Sequence, residues 1–438
     1  MDQIDNRTAL RKRFERATQQ PPLMMLYPPV STGEAYGGGS DALSTWSSVS
    51  GKATLYIHIP FCQSRCVFCP FHAIVAKPAV YKSYLETVLA EATFYADVMT
   101  ELEFSSVYFG GGTPSVLPPT MLKDFLKRLG QRLRISGADI SLEGNPASLD
   151  QDTLKGFCEA GVSRLSLGVQ TFDEEVLQAS GRENTARMVR SALENALSTP
   201  FREVNIDLMY GLPNQTFDSW QEDLNTATAL QVPALTLYST VYTPGFTTYC
   251  EKQNATIPGA EDKLRMYDMA YDYLTGDRYP QPHFGAGAFL RGELNPHREN
   301  VLLGRPTLGL GTWAYSTTAQ TGHHNLFPWR QWAQAVKKGK LPIGQVVRIQ
   351  DSERARKYVI EAMLLAYLDL GQFQQMFGSD LADTFPDELA VLDELDLVYV
   401  EEGELRLTRK GGRHLREIRY MFASNEVVAA LENGCASL

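Results

Sequence analysis

Three cysteines in one short loop constrain this chain more than any other feature. Cys62, Cys66 and Cys69 form a C-x3-C-x2-C pattern. Three thiolates spaced in this way can hold three irons of a [4Fe–4S] cluster and leave the fourth iron open to a small molecule. Zinc is a rival interpretation, because His72 follows three residues after Cys69 and could complete a closed four-ligand site. A third interpretation is that these cysteines bind no metal.

Length and composition indicate an ordinary globular protein. The 438 residues, of which 44% are hydrophobic, are enough for one large domain and one or two smaller units. The net charge of −10 gives no sign of a basic surface, so a nucleic-acid partner is not expected. No run of about 18 apolar residues occurs, so no membrane association is expected.

The N-terminus and the cysteine usage predict a cytoplasmic protein. Met1–Gln20 is charged and lacks the apolar core of a secretory signal. The other three cysteines, Cys158, Cys250 and Cys435, are scattered and do not form an obvious set of pairs. That pattern is typical of a reducing compartment with a single metal site.

Strand and helix patterns alternate from Gly51 to Ser239, and this repeat predicts an α/β fold. Strands connected through helices are parallel and have right-handed crossovers. Six repeats instead of eight predict an incomplete (β/α)6 barrel that is open on one side, with its chemistry at the carboxyl ends of the strands. The predicted strands are Thr54–Ile59, Ser106–Phe109, Asp139–Glu143, Arg164–Val169, Glu203–Leu208 and Ala234–Ser239.

The sequence predicts one further region on each side of the barrel, so the chain divides into three regions. Residues 1–50 are expected to be an N-terminal extension with a short polar helix over Asn6–Gln19. Residues 51–345 are expected to form the barrel, with residues 240–341 completing the sheet and lining the pocket. Residues 346–438 are expected to form a small winged-helix-like α+β domain that serves as a lid or docking module. Its predicted elements are helices over Asp351–Leu370 and Pro386–Leu395, strands over Leu397–Val400 and Leu405–Thr408, and a last helix from Arg409.

Polar and glycine residues follow the predicted strand ends. The run Y-F-G-G-G-T-P-S (108–115) ends the second strand, and three glycines would allow a ligand to approach the backbone closely. Glu143, Gln170 and Asp207 end the next three strands, and together they suit ribose hydroxyls and an ammonium group. Taken singly, each could be a cap, and the glycines could form a tight turn. Arg182 could pair with a carboxylate or lie at the surface.

Four motifs together resemble one family. They are I-H-I-P-F-C-x3-C-x2-C, Y-F-G-G-G-T-P-S, L-S-L-G-V-Q-T-F and N-I-D-L-M-Y-G-L-P-x-Q-T, and they are similar to the oxygen-independent coproporphyrinogen III oxidase family of radical S-adenosylmethionine (SAM) enzymes. The resemblance is strong over Thr54–Ser239 and weaker over residues 406–418. It implies a [4Fe–4S] cluster, cleavage of SAM to a 5′-deoxyadenosyl radical, and an electron donor such as flavodoxin or ferredoxin. It also implies cluster ligation by Cys62, Cys66 and Cys69, and SAM contacts from Tyr56, Phe68, Gly111, Gly112, Thr113, Glu143, Gln170, Arg182 and Asp207.

The sequence departs from two branches of that family. The oxidases carry a further cysteine two residues after the third ligand, where this chain has Phe71. The haem chaperones carry H-N-x-x-Y-W before a G-x-G loop, where this chain reads R-E-N-V-L-L-G (298–304). The run from His323 to Trp329 lies after the G-L-G loop, and it is either a polar loop or a haem-ligating segment.

Two other branches of the family then fit the motifs, and they imply a radical alkylation. One contains radical methyl or methylene transferases, and the other contains anaerobic haem-degrading enzymes. Both imply two SAM molecules, the second of which provides a carbon that adds to an unsaturated heteroaromatic or tetrapyrrole substrate. Haem carriage and coproporphyrinogen III oxidase activity are the alternatives.

Overall fold

The chain begins with a helix and a short strand that lead to the central sheet. The computed structural model describes residues 6–19, 27–37, 41–69, 73–279, 281–283, 288–292, 294–365 and 367–432. The polar helix predicted over Asn6–Gln19 is confirmed. The first elements are α1 (Asn6–Gln19), β1 (Glu34–Ala35) and α2 (Asp41–Ser47).

Strands and helices then alternate through the region of repeated patterns. Helix ends fall where the sequence has capping residues, as at Asp150, whose carboxylate accepts a hydrogen bond from the Thr153 amide at 2.8 Å. The elements are β2 (Gly51–Ile59), β3 (Phe61–Cys62), β4 (Ile74–Val75), α3 (Ala79–Ala96), β5 (Leu102–Gly111), α4 (Pro119–Leu129), β6 (Asp139–Gly144), α5 (Gln151–Glu159), β7 (Arg164–Gln170), α6 (Glu174–Ala179), α7 (Ala186–Leu197), β8 (Glu203–Tyr210), α8 (Phe217–Ala229) and β9 (Ala234–Ser239).

All six predicted strands are present and lie side by side in parallel. Their order is β2-β5-β6-β7-β8-β9, and every adjacent pair is parallel. Side chains on the outer face of the sheet, such as Leu55, Ile57 and Leu167, are fully buried because helices cover that face. The predicted α/β architecture is therefore confirmed.

The segment after β9 extends the sheet at both edges, as the sequence predicts. Within the described residues the sheet has 13 strands in the order β1-β15-β14-β13-β12-β2-β5-β6-β7-β8-β9-β11-β10. A seventh parallel strand, β12, pairs with β2, and β11 pairs with β9 in the antiparallel sense. The elements are α9 (Pro244–Lys252), α10 (Ala260–Leu274), β10 (Gln281–His283), β11 (Ala288–Leu290), α11 (Pro296–Leu302), β12 (Thr307–Leu310), β13 (Tyr315–Thr317), β14 (Thr321–Asn325), α12 (Trp329–Lys337) and β15 (Ile343–Arg348).

The C-terminal region contains helices and a small antiparallel sheet, and here one prediction is wrong. The helix predicted over Asp351–Leu370 ends at Ala362, and residues 367–369 form a strand. Leu368 pairs with Leu405, so strand pairing overrides local helix propensity. The elements are α13 (Asp351–Ala362), β16 (Tyr367–Asp369), α14 (Leu370–Phe377), α15 (Leu381–Thr384), α16 (Pro386–Glu394), β17 (Val398–Glu401), β18 (Glu404–Leu407), α17 (Arg409–Arg413), α18 (Leu415–Met421) and α19 (Asn425–Glu432).

Basic residues of the C-terminal region dock it on the barrel. Arg413 donates hydrogen bonds to both carboxylate oxygens of Asp268 on α10, and Arg409 donates one to Asp272 at 2.7 Å. These guanidiniums are therefore engaged within the chain and are not presented as a nucleic-acid surface. The arrangement supports the docking role that the sequence suggests.

Helix α1 packs against the C-terminal helices. Leu10 and Phe14 are buried in a cluster with Phe422 and other residues of the C-terminal region. Arg13 donates to the carbonyls of Met421 and Ala423 at 3.2 and 2.7 Å. The two ends of the chain therefore share one hydrophobic cluster, while the domain boundaries at 50/51 and 345/346 stay predictions.

No helix among the described segments is both long and apolar enough to cross a lipid bilayer.

A buried carboxylate connects helix α3 to the strands that extend the sheet. Glu91 is fully buried and accepts from the Gly311 amide at 2.8 Å, from the indole N–H of Trp332 at 3.1 Å, and from Nδ2 of Asn325. Burial raises the pKa of Glu91 to about 8, while these three donors act in the opposite direction. One side chain thus holds the end of β12, the end of β14 and α12 in place.

We expect Glu91→Ala to destabilise the protein strongly. The substitution leaves three buried donors without an acceptor, which costs about 3 kcal/mol or more. The measurement is the midpoint of urea unfolding followed by circular dichroism. Lys82→Ala, on the exposed side of the same helix, is the control and should leave the midpoint almost unchanged. Equal midpoints for the two variants would show that Glu91 does not have this role.

Candidate functional site

The predicted cluster ligands lie on the loop that leaves β2. Cys62 is buried and Cys66 and Cys69 are half-buried, and none of the three is in a disulfide. The Cys69 amide donates to the Cys66 carbonyl at 3.2 Å, so the two residues share one tight turn. Phe71 and His72 lie outside the described residues.

The glycine run after β5 packs directly on this loop. The amides of Gly112 and Thr113 donate to the carbonyls of Ile59 and Phe61 at 2.8 and 2.7 Å. A Cβ on Gly112 would lie 2.7 Å from the Phe61 carbonyl oxygen and 3.0 Å from Cys62 Sγ, so only glycine fits. The Thr113 hydroxyl donates to Cys62 Sγ at 3.3 Å. The two loops therefore form one unit.

Arg182 faces the cysteine loop and is not a surface residue. Its Nη1 lies 3.6 Å from Cys66 Sγ, and its Nη2 donates to the Gly168 carbonyl at 2.6 Å. Its Nε is buried and has no hydrogen-bond partner among the described residues. A guanidinium in this place stabilises a thiolate and keeps one N–H for an anionic ligand group.

The donor set fits an iron–sulfur cluster. Three thiols lie on one loop, with a hydroxyl and a guanidinium next to two of them, and sulfur ligands of this kind hold [4Fe–4S] clusters. In the described part of the chain, no three Cys, His, Asp or Glu side chains converge as a ready-made metal site. The fit therefore rests on the chemistry and sequence spacing of Cys62, Cys66 and Cys69. These three would hold the cluster.

The Glu143 carboxylate lies beside the glycine run at residues 110–112. Its two carboxylate oxygens accept from the Tyr108 hydroxyl at 2.8 Å and from the Gly111 amide at 3.2 Å. Burial raises the pKa of Glu143 to about 7, and the nearby carboxylate of Asp207 adds to the increase. A buried carboxylate with so few donors is suited to pair with a cationic ligand group.

Tyr56 is on β2, the strand that pairs with β5, and its ring lies close to the Glu143 carboxylate. Its ring stacks on Tyr108 at a centroid distance of 6.2 Å, and its hydroxyl lies 3.1 Å from Nδ1 of His58. His58 in turn packs against Gly111, where an added Cβ would lie 2.6 Å from the imidazole. Tyr56, Gly111 and Glu143 are thus brought together, as predicted for three of the SAM-contacting residues.

The other predicted contacts lie further along the same rim. Gln170 has a left-handed backbone (φ 70°) at an irregularity between β7 and β8. Its side chain folds towards Gly168, the residue that accepts from Arg182. Phe68 packs edge-on against Phe246 at 6.3 Å.

Asp207 lies inside the barrel, deeper than the rim. It accepts from Asn205 Nδ2 at 2.9 Å and from the Ser166 hydroxyl at 3.5 Å. Burial raises the pKa of Asp207, while the positive charges of Arg298 and Arg164 oppose that increase. Asp207 is therefore part of a polar network on the inner face of the sheet.

Sequence reasoning missed several residues of this network. In the sequence Tyr108 is only the first residue of the glycine motif, but in the structure it donates to Glu143 and stacks on His297 at 4.2 Å. His297 and Arg298 come from α11, which inserts against β5 and β2. A hydroxyl-bearing residue two positions before the glycines was a usable signal for Tyr108. Nothing in the weakly periodic segment around α11 pointed to the other two.

Comparison with known proteins gives a match to one protein superfamily over residues 56–227. The sequence model of the Radical SAM superfamily matches residues 56–227, which contain the cysteine loop, the glycine run, Glu143, Gln170 and Asp207. Over residues 56–227 this chain is therefore similar to the radical SAM superfamily. The predicted cofactors, a [4Fe–4S] cluster and SAM, are those of the superfamily and are confirmed at that level.

Relatives of two kinds match this chain along most of its length. Heme chaperone HemW of Bacillus subtilis (strain 168) is 26% identical over 361 residues, which are 81% of this chain and 95% of the relative. The oxygen-independent coproporphyrinogen III oxidase of Escherichia coli (strain K12) is 28% identical over 388 residues, 84% and 85% of the two chains. The structure of coproporphyrinogen III oxidase (HemN) from Escherichia coli, a radical SAM enzyme, superposes with a TM-score of 0.80 at 26% identity, over 96% of this chain and 99% of that chain.

We expect SAM binding to tighten as the pH rises from 6 to 8. Glu143 has a raised pKa of about 7, so it gains its charge over this range, and a cationic ligand then gains a partner. The expected increase in affinity of the cluster-loaded protein is at most roughly tenfold, measured anaerobically by equilibrium dialysis.

Two variants test whether Glu143 is responsible. Glu143→Gln should bind SAM weakly and lose the dependence on pH. Glu183→Gln removes an exposed carboxylate next to Arg182 and should keep the wild-type profile. A Glu143→Gln profile that still rises with pH would contradict the assignment.

Proposed function

We propose that this chain is a radical SAM enzyme that acts on a tetrapyrrole. The observation that carries the proposal is the extent of the similarity to HemN, which covers 96% of the chain and therefore goes far beyond residues 56–227. Both kinds of relative are named for tetrapyrroles, coproporphyrinogen in one case and haem in the other. A shared ligand class is the simplest reason for the shared flanking regions.

The geometry of the rim supports a catalytic role. Reduction of a bound cluster next to SAM gives the 5′-deoxyadenosyl radical. Glu143 would pair with a positive group of SAM, and Arg182 would donate its spare N–H to the SAM carboxylate. Gly111 and Gly112 let His58 and the cysteine loop approach the backbone closely, which fixes these groups around the predicted ligand site.

The relatives favour one of two reactions on the substrate, and the sequence favours the other. The similarity to the oxidases along the whole chain supports oxidative decarboxylation of a porphyrinogen. Phe71, which replaces a cysteine that the resemblance assigns to oxidases, supports radical methyl or methylene transfer from a second SAM molecule. A flavodoxin or ferredoxin would supply the electron in either case.

Product analysis separates these reactions. The reconstituted full-length chain is incubated anaerobically with dithionite, SAM and either haem or coproporphyrinogen III, and the products are separated by chromatography. 5′-Deoxyadenosine together with S-adenosylhomocysteine indicates alkylation. 5′-Deoxyadenosine together with carbon dioxide and a decarboxylated porphyrinogen indicates the oxidase reaction.

The controls decide whether the chain is an enzyme at all. Cys66→Ala should abolish formation of 5′-deoxyadenosine, whereas Cys158→Ala, a thiol far from the loop in sequence, should leave it unchanged. Retention of haem without any 5′-deoxyadenosine would contradict the enzyme proposal and support a haem carrier.

A further inference from the structure

Helix α11 lies inside the barrel, towards the amino ends of the strands. Asn300 is buried, and its Nδ2 donates to the hydroxyls of Thr54 on β2 and Ser105 on β5 at 3.1 and 2.9 Å. Three residues earlier, His297 stacks on Tyr108 at 4.2 Å, further along β5. The helix therefore closes the lower part of the barrel, and its first turn lies on the side of the predicted SAM contacts.

Arg298 follows His297 and reaches another wall of the barrel. Its Nη2 donates to the Thr236 hydroxyl on β9 at 3.2 Å, and Thr236 donates to the Asn205 side chain on β8 at 2.9 Å. Its Nη1 is buried and has no hydrogen-bond partner among the described residues. Arg298 as a whole is half-buried, so part of the side chain borders open space. Since a buried donor without an acceptor is unfavourable, an oxygen atom of a bound ligand would be stabilised there.

Tyr238 provides a second donor on the same face of β9. Side chains alternate along a strand, so Tyr238 points to the same side as Thr236, two residues before it. Its side chain is 46% exposed, although the barrel walls surround it. Burial between these walls raises the pKa of Tyr238; the charge of Asp207 adds to the increase and that of Arg298 opposes it. The hydroxyl therefore stays protonated and borders open space inside the barrel.

The carboxylates around this space already accept hydrogen bonds from other groups. Glu203 accepts from Arg164, and Glu143 and Asp207 accept the hydrogen bonds described above. Within the described part of the barrel, Arg298 thus combines a positive charge with a donor that no side chain uses. An anionic group of a ligand would be attracted to this position.

We propose that Arg298 and the Tyr238 hydroxyl bind a carboxylate of the substrate inside the barrel. A guanidinium donates charge-assisted hydrogen bonds to a carboxylate, and a phenol can donate one more. Haem and coproporphyrinogen both carry carboxylate side arms, so the proposal rests on the tetrapyrrole part of the proposed function. It adds that an edge of the tetrapyrrole bearing a carboxylate enters the barrel next to the predicted SAM site.

Two probes that differ in charge test the recognition of a carboxylate. Coproporphyrin III and its neutral tetraamide are titrated separately into the cluster-loaded protein in the presence of SAM, and binding is followed by porphyrin fluorescence. The wild type should bind the acid about tenfold more tightly than the amide, or better, because the amide lacks the charge. Arg298→Gln should weaken binding of the acid by about tenfold and change binding of the amide by less than about threefold.

Three further variants refine the test. Tyr238→Phe should weaken only the acid, by about threefold to tenfold, because it removes one donor. Arg298→Lys keeps the charge and should retain part of the preference for the acid. Arg291→Gln is the matched control, since Arg291 is an exposed arginine of the same segment that lies over the Tyr279 ring, and it should behave like the wild type. Circular dichroism shows whether each variant is folded.

The other outcomes overturn the proposal or the function on which it rests. Equal affinities of the wild type for both probes would exclude a carboxylate site, and an equal loss of both probes in Arg298→Gln would show that Arg298 only packs. Failure of the wild type to bind either porphyrin would contradict the tetrapyrrole proposal instead. Propionate and propionamide are then compared by thermal unfolding. Stabilisation by propionate in the wild type but not in Arg298→Gln would support the carboxylate site, and no difference between the two proteins would exclude it.

Discussion

The close contact between two loops at neighbouring strand ends is the constraint on which the site depends. Gly112 lies against the Phe61 carbonyl and Cys62 Sγ at a distance that no side chain would allow. The contact sets the position of the cysteine loop relative to β5. Next to it, Glu143 accepts hydrogen bonds from the Gly111 amide and the Tyr108 hydroxyl, which fixes the carboxylate beside the glycine run. The predicted cluster ligands and SAM contacts come from different strands, so their relative placement requires this backbone contact and not only the right residue types.

A second constraint connects this rim to the rest of the chain. The carboxylate of Glu91 gathers the loop after β12 and the irregular end of β14, neither of which belongs to the six repeats. The loop after β12 lies against His58, since a Cβ on Gly311 would lie 2.8 Å from the His58 carbonyl oxygen, and the His58 ring touches the glycine run at Gly111. The added strands therefore do more than extend the sheet, because they lie against a residue that contacts the predicted SAM site.

The sequence predicts the parallel strands well because each one is a short apolar run between clear helix patterns, as at Leu55 and Ile57. It also predicts local caps such as Asp150, since capping involves residues only three apart. It fails where a contact is distant along the chain. The strand at 367–369 depends on pairing with Leu405, and the place of Arg298 near Asp207 depends on the insertion of α11. The site follows the same rule: the cysteines and glycines can be recognised as motifs, whereas the role of Tyr108 depends on its contacts with Glu143 and His297 on other elements.

The account predicts most directly that SAM binds to the open iron of a cluster held by the loop at Cys62, Cys66 and Cys69. The decisive measurement is the electron paramagnetic resonance spectrum of the reduced, reconstituted protein, recorded without SAM and with an excess of SAM. A clear change in the g-values on addition of SAM is the predicted result, because SAM replaces another ligand on one iron. Identical spectra in the two samples would contradict the account.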